Sequence, residues 1–360
     1  METSLKYMPV FRTRQEEEKV FKTFDFEDRI FPCLEIVKEF DRDRDASKQK
    51  KFEEIYLPLI KKIKAKKVFI DLPVHLNVSS RTKKTTLSFF RKVVSKRIDR
   101  TDYMNKLSPV SNKVIPIIST YFKQTGEAGS IKVQEKDLRK NFPILAFRTF
   151  LNSYDNDLSQ IEAIVKKDDF LIVDLGKTEI DLADEEFKEL QDRLDYFTKC
   201  PVILLRSAIN PDIRNVDLLH DETVSDIDNS LINVYTSLHC ECFSDYVGIK
   251  KDDITDGGSI SPGFIYYDAV KNNYYGYKGR IDELGTFETV IVPDVIASLS
   301  TKRMRTCGKD FLSSDNIGWK MINDIKLGTE KGKSMAKFKR ISMEHYLHCI
   351  KTRIKLGEFN

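Results

Sequence analysis

Six ionisable side chains stand in or at the end of short apolar runs of this chain, where a charge is costly unless it is paired or put to use. They are Glu35 in the run 30–37, Asp71 in 68–72, Arg148 in 144–150, Asp174 in 170–175, Arg206 in 202–206 and Asp245, followed by Tyr246, in 243–249. Carboxylates gathered at one place are what hard cations such as Mg²⁺ or Mn²⁺ take as ligands. Without a metal, close like charges raise one another's pKa and set a general acid beside a general base. Either arrangement suits hydrolysis of a phosphodiester or glycosidic bond, with Arg148 or Arg12 holding an anionic group. Glu35, Asp71, Asp174 and Asp245 are therefore the catalytic candidates, and Arg12, Arg148, Tyr246 and Tyr266 the substrate-binding ones.

Each has a plainer reading. Arg148 can neutralise the acids in a buried network, and an Asp ending a strand, as Asp174 does before Leu175-Gly176, caps the helix that follows. His75, four residues after Asp71, is a proton shuttle, a ligand or a solvated loop residue. Tyr266, Tyr267, Tyr274, Tyr275 and Tyr277 form a stacking surface or stabilise a hairpin from within, and the second reading is favoured for all but Tyr266. Cys240-Glu241-Cys242 beside His239 is at most half of a metal site, since no second pair stands at zinc-site spacing.

The elements that must position these residues follow from periodicity. Eight β-branched or aromatic runs, at 7–11, 30–37, 68–72, 114–120, 144–150, 170–175, 202–206 and 243–249, alternate with helical patterns. Those patterns fall near 14–24, 47–64, 80–98, 131–140, 155–166, 183–197 and 222–236; in 183–197 the stripe is Phe187, Leu190, Leu194 and Phe197. The alternation predicts an α/β fold, a closed (β/α)8 barrel of the TIM type, whose strand ends bring distant polar residues to one rim. Residues 1–249 are the expected barrel core. Residues 250–341 are an expected insertion with a β-hairpin at the rim over 259–279, turning at Val270-Lys271-Asn272-Asn273, and 342–360 are the final barrel helix and tail. Connections 81–109 and 210–228 are longer than a barrel needs. Within 328–340, Lys331, Lys333, Lys337, Lys339 and Arg340 oppose Glu330, a phosphate contact or a solvated loop.

Bulk properties bound the function more loosely. The 360 residues carry 60 Lys and Arg against 56 Asp and Glu, so the net charge of +4 makes no global case for nucleic acid or membrane. An apolar fraction of 41% suffices for a large core, and six scattered cysteines fit reduced thiols. No window reaches the ~20 apolar residues of a membrane span and the opening METSLKYMPVF lacks a signal-peptide core, so a cytoplasmic protein is expected. Walker, dinucleotide-binding, Gly-x-Ser-x-Gly and His-Glu-x-x-His motifs are absent from the sequence.

One resemblance runs nearly the length of the chain. Tyr7-Met8-Pro9-Val10-Phe11-Arg12-Thr13-Arg14, Glu17 and Ile30-Phe31-Pro32-Cys33-Leu34-Glu35-Ile36 resemble the opening of the beta protein family, first named from a bacteriophage. In order follow Val68-Phe69-Ile70-Asp71-Leu72, Ala146-Phe147-Arg148 and Leu171-Ile172-Val173-Asp174. Phe243-Ser244-Asp245-Tyr246-Val247-Gly248 resembles the family's Ser-Asp-Tyr-Gly element, followed by Tyr266 and a Gly at 276 or 279. Trp319 and Glu344-His345-Tyr346-Leu347 fall where the family shows a Trp and a His-His pair. Arg12 replaces the usual Lys and Glu344 the first His, which puts a two-histidine metal or proton relay in doubt. The resemblance implies a setting of conflict between phages or mobile elements and their hosts, without a reaction. It leaves two expectations: a rim-site hydrolase acting on a small or phosphorylated ligand, or a non-catalytic adaptor that binds a phage protein or nucleic acid.

Overall fold

Alternation of side chains across a strand decides which residues of this chain meet. The computed structural model describes residues 5–39, 49–78, 82–250 and 261–359. Ser259 and Arg81, with the first residues of the expected helices at 47–64 and 80–98, lie outside that set. All eight expected runs contain strands: β1 (Tyr7–Arg12), β2 (Cys33–Glu35), β3 (Val68–Asp71), β4 (Val114–Ser119), β5 (Ala146–Phe150), β6 (Phe170–Asp174), β7 (Val202–Leu205) and β8 (Cys242–Asp245). Each pairs in parallel with its sequence neighbours and β8 returns to β1, closing a TIM-like barrel.

Inward-facing positions are apolar toward one end, where Met8, Cys33, Phe69, Ile115, Ala146, Phe170, Ile203 and Cys242 form one cluster. Outward-facing positions such as Tyr7, Phe11, Leu34, Ile70, Phe147, Leu171 and Phe243 belong to the second, larger core under the helices. Those helices are α1 (Gln15–Thr23), α2 (Phe52–Lys62), α3 (Lys84–Ser95), α4 (Arg97–Asn105), α5 (Ser130–Leu138), α6 (Tyr154–Ile161) and α7 (Glu185–Asp195). In α7 the stripe buries Phe187, Leu190 and Leu194, each worth roughly 1.5–3 kcal/mol. Asp184 caps it by accepting from the Glu186 N–H at 2.9 Å. The long connection after β3 holds two helices, α3 and α4.

After β8 the chain builds a second layer. Strands β9 (Gly263–Asp268) and β10 (Asn273–Lys278) form the expected hairpin, and Glu222–Thr223 pairs with β10 to extend it. The expected helix at 222–236 is cut to Leu231–Val234 with a following 3-10 turn, because its first residues are spent on that sheet. Helix α8 (Ile317–Lys326) packs against a final helix, α9 (Met335–Lys355), which also lies beside α1 and β9. Helix α9 begins at Met335 rather than at Ser342, because the Ser334 hydroxyl accepts from the Lys337 N–H and caps it there.

The join between β8 and α9 is set by a sharp turn. Val247 and Gly248 have φ of 56° and 64°, and the Val247 N–H donates to Asp245 Oδ1 at 2.8 Å. A Cβ at Gly248 would stand 2.8 Å from the Tyr346 ring of α9. Gly248→Ala is therefore expected to cost about 2–4 kcal/mol, strain and overlap together. A denaturation midpoint equal to wild type would show that neither constrains this turn.

Candidate active site at the barrel mouth

Register brings the first three charged residues to one level. Arg12, Glu35 and Asp71 end β1, β2 and β3, and Arg12 pairs with Glu35 and Glu35 with Asp71 across the ladder. Asp174 ends β6, and Arg148 lies inside β5 on the same inward face as Ala146. These five side chains meet at the end of the barrel interior where the strands stop, which is where barrels of this type carry function.

Arg148 is the hub. Its Nη1 donates to Asp71 Oδ2 at 2.5 Å and Glu35 Oε1 at 3.0 Å. Nη2 and Nε donate to Asp174 Oδ2 at 2.6 and 3.2 Å, and Nη2 also reaches the Tyr246 hydroxyl at 3.2 Å. The Tyr246 hydroxyl donates to Glu35 Oε1 at 3.0 Å, and Arg12 Nε donates to Glu35 Oε2 at 3.1 Å. His75, beyond β3, brings Nε2 to 3.3 Å from Arg148 Nη2 and 3.6 Å from Glu35 Oε1. Glu35 and Asp71 have no exposed surface at all, so their charges are sustained by these contacts and not by water.

Among the described residues, three carboxylates face two guanidinium groups in this cluster. Burial pushes the Asp71 carboxyl up to about 6, against the pull of Arg148 and with the help of Glu35 and Asp174. Its Oδ1 is buried and has no hydrogen-bond partner among the described residues. Burial works against charge on Arg148, but Asp174, Tyr246, Asp71 and Glu35 outweigh it and hold the guanidinium protonated. Burial also raises the Tyr246 hydroxyl, with Glu35 adding to it, so the phenol keeps its proton. Mg²⁺ or Mn²⁺, one of the two alternatives that the sequence leaves open, would meet a donor set already gathered on Arg148, which supplies the positive charge such an ion would bring. Among the described residues no group of three or more His, Cys, Asp or Glu is disposed to hold a metal.

Two of the sequence candidates are not at the mouth. Asp245 follows the outward-facing parity of Phe243, and its carboxylate takes hydrogen bonds from the Tyr7 hydroxyl, at 2.6 Å, and the Tyr346 hydroxyl. Burial raises its pKa while those phenols hold it down. Adjacent strand residues point to opposite faces, so Asp245 and Tyr246 cannot both face inward, a signal already present in the sequence. Tyr266 is fully buried in the second layer, stacked on His345 with ring centroids 4.6 Å apart and its hydroxyl 3.3 Å from Thr301 Oγ1. Tyr267, Tyr274 and Tyr277 are buried with it, so only Tyr275 of the five is half-exposed, where it meets Arg303.

The terminal pair is placed apart from the cluster as well. His345 lies between Asn316 Nδ2 and the Tyr267 carbonyl, each 2.9 Å away, and burial lowers its pKa to about 4, so the ring is neutral. Glu344 sits 3.4 Å from Arg340 and 3.5 Å from Thr23 of α1. Arg206 clamps two loops, donating to the Thr178 and Asp228 carbonyls. Cys240 and Cys242 are buried, and burial raises both thiols.

Arg14, Glu17, Lys250 and Lys339 line a cleft with Arg12 and Tyr246. Sequence reading named Arg14 and Glu17 only in the family resemblance and Lys339 only in the basic run 328–340, and it left out Lys250.

Two outcomes follow from the cluster. Arg148→Met removes the guanidinium that three buried carboxylates share and should cost roughly 3–5 kcal/mol in denaturant unfolding; a loss below ~1 kcal/mol would mean that the acids do not depend on it. Folding keeps Asp71 protonated between the ~4 of an unfolded carboxyl and its native value of about 6, so its contribution is full below that window, falls as pH rises through it and is lost above. The span is on the order of 3 kcal/mol, and Asp71→Asn removes it. Melting temperatures of the two proteins at rising pH should shift against one another inside the window; parallel curves would place the titration elsewhere.

A family model described as Beta protein matches residues 7–351. No curated protein and no solved structure matches the chain. No helix among the described residues is long and apolar enough to cross a membrane.

Proposed function

The chain belongs to the Beta protein family, and from that premise we propose that its barrel mouth is the active site of a hydrolase acting on a phosphate ester, with Asp71 as the group that carries the proton. The observation that supports this most directly is the Asp71 carboxyl itself: inside the barrel, raised to about 6 and with Oδ1 unpartnered among the described residues. A general acid–base group is most effective with its pKa near the working pH. Arg148, Glu35 and Asp174 hold Asp71 in position, since each touches it or the guanidinium it is bound to. Arg12, at the edge of the cluster, offers a guanidinium to the substrate anion.

In the proposed step, water attacks phosphorus while the ionised Asp71 carboxylate takes its proton. The bond from phosphorus to the leaving oxygen breaks, and the proton held by Asp71 passes to that oxygen. The setting proposed is conflict between phages or mobile elements and their bacterial hosts, which rests on the family resemblance alone.

The test is hydrolysis of chromogenic nitrophenyl phosphate esters, with nitrophenyl glycosides as the comparison. Phosphate-ester turnover by the wild type, reduced at least about a hundredfold in an Asp71→Asn protein that circular dichroism shows to be folded at pH 7, is expected. A folded Asp71→Asn protein as active as wild type would overturn the assignment, and turnover confined to glycosides would overturn the substrate class.

A further inference from the structure

We infer that the end of the barrel opposite the mouth carries a docking surface for the phosphate backbone of a nucleic-acid duplex, built from Lys61, Lys62, Lys64, Lys66, Lys67 and Lys113. Lys61 and Lys62 lie at the end of α2, and the short strand Lys64–Ala65 leads through Lys66 and Lys67 into β3. Lys113 stands just before β4, and the pairing of Val68 with Val114 sets it beside Lys67. These are the entry ends of the strands, so the surface is separate from the cluster around Arg148 and does not depend on the reading of the mouth. Lys113 Nζ donates to the Ile63 carbonyl at 2.5 Å and the Lys61 carbonyl at 3.4 Å, and Lys67 Nζ donates to the Asn112 carbonyl at 2.6 Å. Those contacts draw the segments into one patch and leave each ammonium a donor to spare.

Charge balance and composition select the partner. Lys61, Lys62, Lys64 and Lys66 are exposed, and none of them has an ion-pair partner among the described residues. Acids on adjoining segments do not cancel them: Glu27 is held by Lys351 and Lys355, and Glu53 of α2 lies 3.6 Å from Lys106. That leaves Asp25, which pairs with Lys64 in the ladder, and Asp28 beside the patch. Like charges already press on one another there, since burial and the neighbouring Lys66 both lower the Lys67 pKa, and an arriving anion relieves that pressure. Lysines are point charges on flexible stems, which follow phosphates without the fixed geometry that an arginine fork gives to a carboxylate. Protein interfaces are poor in Lys, a lipid surface takes apolar or aromatic side chains beside the lysines, and a single strand stacks its bases on aromatic rings. None of the exposed large apolar side chains among the described residues falls within 58–67 or 111–113. The surface therefore suits a backbone contact that reads charge and not sequence.

Fluorescence anisotropy of a labelled DNA duplex of about 20 base pairs and mixed sequence, titrated with the full-length chain at about 50 to 200 mM salt, tests the surface. Wild type should bind at low salt, with an affinity that falls steeply as salt rises. Lys62→Gln/Lys64→Gln/Lys66→Gln should weaken binding at least about tenfold at the lowest salt and make the logarithmic salt slope shallower by roughly 2–3. Asp71→Asn and Lys331→Gln/Lys333→Gln should bind as wild type does. Circular dichroism checks that each variant is folded, and Lys64→Gln/Lys66→Gln serves if the triple variant is not. The inference is overturned by a wild type that binds no duplex, by equal affinity in the folded variant of the patch, or by an equal loss in Lys331→Gln/Lys333→Gln. Tighter binding of the matching single strand, of phosphatidylserine vesicles or of polyglutamate than of the duplex overturns the choice of partner and the inference with it.

Discussion

A guanidinium inside a barrel has to be surrounded by acceptors, and that requirement organises one end of this molecule. Arg148 lies where the inward positions of the strands turn from apolar to charged, and it donates hydrogen bonds to Glu35, Asp71, Asp174 and Tyr246. Each of these comes from a different strand or from the turn after one. The ladder register that sets Glu35 beside Asp71 is thus a condition for keeping Arg148 buried, and the buried charge in turn penalises any slip of register. Closure of the barrel and assembly of the polar cluster are the same event seen from backbone and side chain.

The constraint leaves one member less well served. Burial raises the proton affinity of the Asp71 carboxyl beyond what Arg148 takes away, and Glu35 and Asp174 add to it. Glu35 is held between two arginines and a phenol. Division of labour between carboxylates by environment alone is a familiar route to acid and base chemistry at neutral pH.

The second layer secures the same mouth from outside. Asp245 faces away from the cluster, yet its bonds to Tyr7 and Tyr346 fasten β8 to β1 and α9 at the turn that aims Tyr246 inward. Three tyrosines of the hairpin pack against α9, Tyr267 and Tyr274 near Tyr346 and Tyr266 on His345. Helix α8 comes close enough to α9 that a Cβ at Gly318 would stand 2.5 Å from the Ile341 carbonyl oxygen. The hairpin and the helices after it therefore act on the mouth through α9, which also carries Lys339 into the cleft.

How much of this was legible beforehand differs by the range of the interaction involved. Period-two runs and intervening helical stripes are local, so the eight strands, the parallel barrel and the hairpin could be read from the sequence, and so could the charged residues whose place in apolar runs demanded partners. Parity along β8 was equally local, and it separates Asp245 from Tyr246 once the strand is extended through both. The start of α9 and the shortened helix after Glu222 were not legible, because a cap and a sheet pairing with a distant hairpin overrode the helical pattern. The cleft is the extreme case: Arg14, Lys250 and Lys339 share no period and no motif. The sequence by itself determined a barrel with ionisable residues at its strand ends, since the alternation of side chains is written residue by residue. Only the tertiary structure decided which acids Arg148 would bind, which carboxyl would keep a proton and which cations would flank them. Burial and charge pairing at a few ångströms depend on chain segments hundreds of residues apart, and no local pattern encodes them.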